Sequence, residues 1–567
     1  MSAPPPSRHD DRLKGRNRLR LVMIGFALCF VVIGLRLAQF SLIEANDPSK
    51  SHQRKEARIP RPDITDRHGQ LLASDIRIAS LFANPRQIID VDEAVELLTS
   101  TLPDLNARDV RRKLSTDRAF VWIKREITPT QKQEVFRLGI PGLYFRNETR
   151  RVYPMGRLAA HVLGYVDVDS RGLAGVERYL DNQGALYTAS LADPARNAAL
   201  PVPLSIDVSV QYAMRSEIAK AVDHFKAKAG AGVVLNIKTG EVVACVSLPD
   251  FNPNSPKQAL LPDRLNRITG ATYELGSVIK AVTFAMAFEY GVTDLNGKYD
   301  ARQPLAIGHA RIHDYHATHR ILTVPEVFIH SSNIGTARMA LDVGIDRHQA
   351  FLRKMGLFSR LQTELPEAAT PLLPARWGKL TTATAAFGHA FAIEPLQGVS
   401  VIGSFLNHGM LVPPTFLKRD AQTAKALERR LVSEATSEKM RYLFRLNVVE
   451  GTATKADAPG YRVGGKTGTS EKVVNGHYSS THNLNSFIGA FPMDDPTYAI
   501  LVMLDEPQGL PETYGFATAG WNAVPTAGKV IKRVAPLLGI EPQLTEVERI
   551  KLAKEEAKAE ARAAKGN

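Results

Sequence analysis

Gly276-Ser277-Val278-Ile279-Lys280-Ala281-Val282-Thr283-Phe284-Ala285-Met286-Ala287-Phe288 is the stretch on which the architecture of this 567-residue chain turns. From Ala281 onward it is almost wholly apolar, the pattern of a buried helix, with Gly276 at its entry. Residues three apart on a helix share a face, so the spacing predicts a Lys280 amine within reach of the Ser277 hydroxyl. The helix start also aims backbone N–H groups and the positive end of the dipole at Ser277. A serine becomes a nucleophile when a neighbouring base takes its proton. Lysine can be that base only where burial or a second cation disfavours its ammonium form. A serine followed three residues later by lysine arises by chance about once in a chain this long, so the pair needs support from elsewhere. Alone, it reads as a helix cap beside a solvated lysine.

Support comes from two later segments. Leu322 to Met339 reads as a helix ending in the polar turn His330-Ser331-Ser332-Asn333. Serine and asparagine there are ordinary capping residues unless a pocket partner exists; with one, Ser331 can relay a proton to a leaving group and Asn333 can hold a substrate amide. The third segment, Tyr461-Arg462-Val463-Gly464-Gly465-Lys466-Thr467-Gly468-Thr469, predicts a strand, as do Ser486–Pro492 and Tyr498–Leu504. Strand alternation puts Thr467 and Thr469 on one face and Lys466 with Gly468 on the other. Lys466 supplies the second cation for Lys280, and Gly468 removes a side chain where another segment must approach closely. Backbone N–H groups near Thr469 and of Ser277 would form an oxyanion hole. Thr467, Gly468 and Thr469 are accordingly the expected substrate-binding positions, and Ser277, Lys280, Ser331, Asn333 and Lys466 the expected catalytic ones.

The ordered serine, asparagine and lysine set is shared by penicillin-binding proteins and class A β-lactamases. Positions 331 and 466 leave room for a helical insertion between the second and third motifs. Other residues narrow the likeness: Arg61-Pro62-Asp63-Ile64-Thr65-Asp66-Arg67-His68-Gly69-Gln70-Leu71-Leu72-Ala73, Arg151-Val152-Tyr153-Pro154, Ala160-His161-Val162-Leu163-Gly164, and Gly172, Gly175, Val176 and Glu177. With these, the chain resembles the class B penicillin-binding proteins, in particular cell-division transpeptidases of the FtsI type, from the membrane segment to about residue 535. Asn266-Arg267, Gly451-Thr452-Ala453 and Ser486-Phe487-Ile488-Gly489 match around the motifs. Leu275 departs from the family's usual proline before Gly276, and Pro62 stands where glycine is common.

The resemblance implies a mixed α/β (α+β) architecture: a penicillin-binding, serine β-lactamase-like transpeptidase domain with an antiparallel sheet flanked by helices. It follows an α+β pedestal and one N-terminal transmembrane helix. It implies D-alanyl-D-alanine transpeptidation of peptidoglycan stem peptides at the division septum, acylation by β-lactams, and no cofactor. Implied partners are a membrane glycosyltransferase of the FtsW type and other divisome proteins. An elongation-type class B enzyme, a carboxypeptidase or β-lactamase, and a divisome scaffold with a dispensable active site remain alternatives.

Expected boundaries are a basic cytoplasmic tail at 1–18, a transmembrane helix at 19–43, a pedestal (dimerisation-like) domain at 44–205, a transpeptidase domain at 206–540 and a charged tail at 541–567. Arg12, Lys14, Arg16, Arg18 and Arg20 precede an uncharged run from Leu21 to Leu35, which Leu37, Ala38, Phe40, Leu42 and Ile43 extend past a snorkelling Arg36. The basic arm places the N-terminus in the cytoplasm and the rest outside the inner membrane; a cleaved signal peptide is the alternative, weakened by the lack of a small-residue cleavage site. The helix Val208–Lys228 and a hairpin turning at Lys238-Thr239-Gly240 open the catalytic domain. The hairpin strands should join the lysine strand and its followers in one antiparallel sheet of five, with helices on both faces.

The net charge of +14 lies partly in the basic arm and shows no basic stripe interleaved with aromatics, which argues against nucleic acid and for an anionic membrane or acidic wall polymer. Cys29 and Cys245 fall in the apolar segment and in a strand, so no disulfide between them is expected. His313, Asp314, His316 and His319 read as a polar loop near the active site, because no helix or strand would fix them as metal ligands.

Overall fold

The computed structural model describes residues 23–25, 27–34, 36, 61–183, 192–193, 198–474, 476–545 and 548–549. Within the expected membrane segment, the described residues are helical. Among the described residues no helix is long and apolar enough to cross a membrane; the remainder of 19–43, the basic tail, residues 44–60 and most of the charged C-terminal tail lie outside them. By its contacts the chain divides between Pro60 and Arg61, and the described residues from Arg61 onward form one unit.

The second unit opens with a sheet in which β1 (Leu71–Ala83) pairs antiparallel with both β2 (Val121–Ile127) and β3 (Leu143–Val152). One face of it is closed by α1 (Val91–Thr101), α2 (Ala107–Leu114) and α3 (Pro129–Arg137) through Leu81, Val95, Leu98, Val110, Ile123 and Val135. Each helix begins where a polar side chain satisfies the otherwise unpaired first-turn N–H groups: Asp90, Asn106, and Thr128 in a capping box with Gln131.

The family-like boxes at 61–73, 151–164 and 172–177 meet in space. Arg151, fully buried, donates to Glu177 (2.7 Å), Asp75 (3.1 Å) and the Pro62 carbonyl (2.8 Å), and Arg61 also bonds Glu177 (3.0 Å). A buried cation this closely partnered fixes one arrangement of its neighbours, because removing either side strands a charge. Asp66, His68 and Arg67 then join this region to Val208 N–H, Asp207 and Glu241 of the following segment.

That segment starts with α4 (Val208–His224), capped by Asp207, four residues shorter than the sequence predicts, and runs into β4 (Ala229–Asn236) and β5 (Val242–Leu248) through a turn with Gly240 at φ +74°. The later elements are α5 (Lys280–Glu289), α6 (Val324–Ile329), α7 (Asn333–Val343), α8 (Pro395–Leu406), α9 (Glu434–Val449), β6 (Gly464–Val474), β7 (His477–Phe491), β8 (Tyr498–Asp505) and α10 (Ala523–Leu537). The strands form the one antiparallel five-stranded sheet that the sequence predicts, and the structure sets their order as β6-β7-β8-β4-β5. Both faces are buried, so alternate residues go to different cores. Val234, Val246, Phe487, Ile500 and Val502 pack with α4 and α10, whereas Val233, Leu235, Ile488, Leu501 and Met503 pack with α5, α8 and α9. The lysine strand β6 is the sheet edge, which leaves its outer side free to face the Ser277 segment.

Candidate active site

Ser277 lies in a 3₁₀ turn, Gly276–Ile279, that passes directly into α5 at Lys280. In such a turn residues three apart are eclipsed, so Ser277 and Lys280 face the same way. Gly276 has φ +59°, where glycine is favoured, and a Cβ there would come within 3.2 Å of the Thr469 carbonyl. On the strand side, a Cβ at Gly468 would fall 2.6 Å from the Leu275 carbonyl. The two glycines thus let β6 and the Ser277 turn approach backbone to backbone, which gives Gly468 its physical role. Ser470 Oγ donates to the Glu274 carbonyl at 2.6 Å and fastens the same contact. Leu275, at φ −76°, is buried, with its side chain in the space left by Gly398.

The second motif departs from the single helix the sequence predicts. α6 stops at Ile329, Ser331 takes φ +56°, and α7 begins at Asn333 with Ser332 as its cap. A left-handed conformation costs a non-glycine residue about 1 kcal/mol or more and persists where its surroundings impose it. Here Ser331 N–H donates to Phe328 and Ser332 N–H to Val327. Asp314 accepts from Ser332 Oγ (2.7 Å) and from Ile334 N–H (2.9 Å), and Asn333 Nδ2 donates to the His313 carbonyl (3.0 Å). The histidine-rich loop therefore braces the second motif, with Asp314 engaged by it.

The bend delivers Ser331 Oγ between two amines. Lys280 Nζ donates to it at 3.0 Å and Lys466 Nζ at 2.9 Å, while Lys280 also bonds the Ser331 carbonyl. In this state the Lys280 amine is held by Ser331 rather than by the Ser277 hydroxyl. Both lysines are fully buried. Burial, reinforced by the charge of Lys466 and opposed by Asp314, pushes the Lys280 ammonium well below its ordinary range. Burial also brings Lys466 down to about 7. Lys466 Nζ lies 5.7 Å over the Phe328 ring, which offers a cation partial compensation. With both amines donating into its lone pairs, the Ser331 proton is free to point elsewhere in the cleft.

Thr467 and Thr469 project from the other side of β6. Thr467 Oγ1 is 2.9 Å from Thr452 Oγ1, which is bonded in turn to Asn447, and the buried Asn447 amide donates to the Gly465 carbonyl at 2.8 Å. Thr469 Oγ1 accepts from Ala519 N–H at 3.1 Å, which leaves its own proton for another acceptor. Sequence reasoning noted Thr452 only as a family match and missed Asn447, a lone asparagine in an otherwise amphipathic helix. It also missed Glu274, whose carboxylate accepts from Ala390 N–H (2.9 Å) and from the Tyr478 hydroxyl (3.1 Å) three residues before Ser277. Among the described residues no group of side chains that could hold a metal ion was found.

The site can therefore present a serine at the start of a buried helix, a hydroxyl shared by two buried amines of depressed basicity, a side-chain amide, and two threonine hydroxyls on an edge strand. Comparison with known proteins identifies the two domains. Residues 230–524 match the penicillin binding protein transpeptidase domain, and residues 57–185 the penicillin-binding protein dimerisation domain. The chain is 40% identical to the probable peptidoglycan D,D-transpeptidase FtsI of Caulobacter vibrioides over 93% of its own length and 89% of the relative's. It is 31% identical to the probable peptidoglycan D,D-transpeptidase PenA of Neisseria gonorrhoeae, over 94% of each. The fold is also that of a crystal structure of a peptidoglycan synthetase from Bifidobacterium adolescentis, with TM-score 0.66 and 20% identity, covering 86% of this chain and 97% of that one. A chain with this motif geometry, both matching domains and this degree of identity belongs to the penicillin-binding protein transpeptidases, as a class B member of the FtsI type.

Proposed function

We propose that this chain is a peptidoglycan D,D-transpeptidase that cross-links stem peptides at the division septum through an acyl-Ser277 intermediate. The observation that carries the reading is the convergence of Lys280 and Lys466 on Ser331 Oγ beside Ser277. It supplies an amine poised to lose its charge and a hydroxyl wired to pass protons. Ser277 Oγ attacks the penultimate peptide carbonyl and its proton goes to neutral Lys280. The C–N bond breaks, and the leaving amine takes a proton through Ser331. Asn333 holds the donor's amide, Thr467 and Thr469 take its terminal carboxylate, and Gly468 keeps the strand close enough for backbone N–H groups to receive the oxyanion. An amine on a neighbouring stem then attacks the ester, forming the cross-link and freeing Ser277. A β-lactam presents a carbonyl and a carboxylate in the same relation, so it acylates Ser277 as well.

The basic arm and the apolar segment at 19–43 support a single-pass anchor with its N-terminus in the cytoplasm and the transpeptidase domain outside the inner membrane. The same anchor and the pedestal are the surfaces for a membrane glycosyltransferase of the FtsW type and other divisome proteins. Mass spectrometry of the full-length protein after treatment with a fluorescent penicillin tests the chemistry: the adduct is expected on Ser277 and absent from Ser277→Ala. Labelling of that variant would refute the nucleophile. Depletion in cells tests the division role, since filaments are expected and rounded cells would instead indicate elongation.

A further inference from the structure

Glu274, His389 and Tyr478 come from three separate segments, meet beside the nucleophile, and have no part in the acyl transfer just described. Tyr478 Oη reaches both Glu274 oxygens, at 3.1 and 3.2 Å, and the Tyr478 ring stacks on His389 with centroids 5.2 Å apart and planes at 26°. The loop carrying His389 lies directly on the Ser277 turn: Gly388 has φ +88°, its carbonyl accepts from Gly276 N–H, and a Cβ there would fall 2.1 Å from the Gly276 carbonyl. Burial, with a lesser contribution from Lys280, lowers the pKa of the His389 imidazole to about 4. The imidazole is therefore neutral near pH 7 and presents a lone pair rather than a like charge to an arriving cation.

Glu274 is the informative member. It is half-buried, and burial raises its carboxyl. Yet its partners are a tyrosine hydroxyl and a backbone N–H, and among the described residues no lysine, arginine or histidine forms an ion pair with it. A carboxylate whose only task was to pin the β6–β7 hairpin could be an amide at lower desolvation cost. Oε2 keeps accepting capacity, and 48% of the Tyr478 surface is exposed, so the group opens to solvent at the rim of the site. A carboxylate without a counter-ion, an aromatic face and a neutral imidazole together favour a cation with N–H donors.

We propose that Glu274, Tyr478 and His389 form a subsite for a primary ammonium carried by a peptidoglycan stem peptide. The inference rests on the transpeptidase reading above. Cross-linking joins two copies of one kind of unit, so the amine that serves as acceptor on one stem is also present on the donor. Either stem can supply the ammonium, and the test has an arm for each.

In the donor arm, full-length protein is given a stem-peptide thioester with a free side-chain amine, or the same compound N-acetylated. Glu274→Gln is expected to lower the ratio of their kcat/KM values about tenfold, and His389→Gln and Tyr478→Phe about threefold. In the acceptor arm, a common acyl-enzyme partitions between water and an added stem-peptide amine. Glu274→Gln is expected to raise the amine concentration giving half-maximal aminolysis by a similar factor. A change in one arm identifies that stem as the source, and changes in both assign the subsite to each in turn. Equal losses for free and acetylated donors, with unaltered partition, would overturn the proposal and leave Glu274 as a hairpin tie. Should Glu274→Gln fail to fold, Tyr478→Phe still decides it, because Tyr478 is exposed and the change removes only its hydroxyl. Failure of the unsubstituted protein to form a Ser277 adduct with penicillin would refute the transpeptidase reading instead.

Discussion

Lys466→Met isolates the electrostatic coupling on which the proposed base depends. The two amines lie 3.0 and 2.9 Å from one oxygen, Ser331 Oγ. They are thus no more than about 6 Å apart, where two unit charges repel by about 3 kcal/mol at an effective dielectric of about 20. That corresponds to about two pKa units on Lys280. Methionine keeps the buried volume against Phe328 and removes the charge. Lys280 must be neutral to accept the Ser277 proton, so acylation rises with pH through its pKa. Without Lys466 the ammonium of Lys280 survives to higher pH, and the acidic limb is expected to move up by about one to two units. The plateau should also fall, because Ser331 loses one of its two donors. The assay is the second-order rate constant for acylation by a fluorescent penicillin between pH 5 and 10, with folding followed by circular dichroism. An unmoved acidic limb would show that Lys280 does not sense Lys466, and a shift to lower pH would refute Lys280 as the base.

Asp314→Asn is expected to move the same limb the other way, because the Asp314 carboxylate supports the Lys280 ammonium; the pH profile of acylation reads this directly. Gly468→Ala drives a methyl group against the Leu275 carbonyl and Ser486 Oγ. Loss of penicillin labelling and about 1–3 kcal/mol of stability in urea titration are expected. Glu394 is fully buried, neither of its carboxyl oxygens is hydrogen-bonded, and burial raises its pKa to about 8. The folded protein thus keeps this proton up to about pH 8 while the unfolded chain releases it near 4.5. Stability from this group is complete below 4.5 and declines as pH rises toward 8, with a limiting slope of about 1.4 kcal/mol per pH unit. Glu394→Gln should flatten that decline in thermal melts.

The elements of the transpeptidase sheet were readable because their signals are local. Val233, Val234 and Leu235 are continuously apolar, as a strand buried on both faces must be, and Lys238-Thr239-Gly240 carries the turn chemistry that joins it to the next strand. The helix after Ser277 was likewise visible in its apolar run. The break at Ser331 was not. Nothing in His330-Ser331-Ser332-Asn333 distinguishes a helix end from a left-handed bend between two helices, and the bend is imposed by Lys280, Asp314 and the Phe328 carbonyl from outside the motif.

By itself, then, the sequence determined which chemical groups exist, in what order, and which stretches become helix or strand, since hydrophobic period and turn residues act between chain neighbours. Tertiary structure alone decided that Lys280 and Lys466, 186 positions apart, share one hydroxyl in a site where both amines are fully buried. It alone brought Asn447 under the lysine strand and Glu274 against Tyr478 and His389. Desolvation and Coulomb repulsion depend on distance through space, so the basicity of Lys280 is a property of the folded protein and of no segment within it.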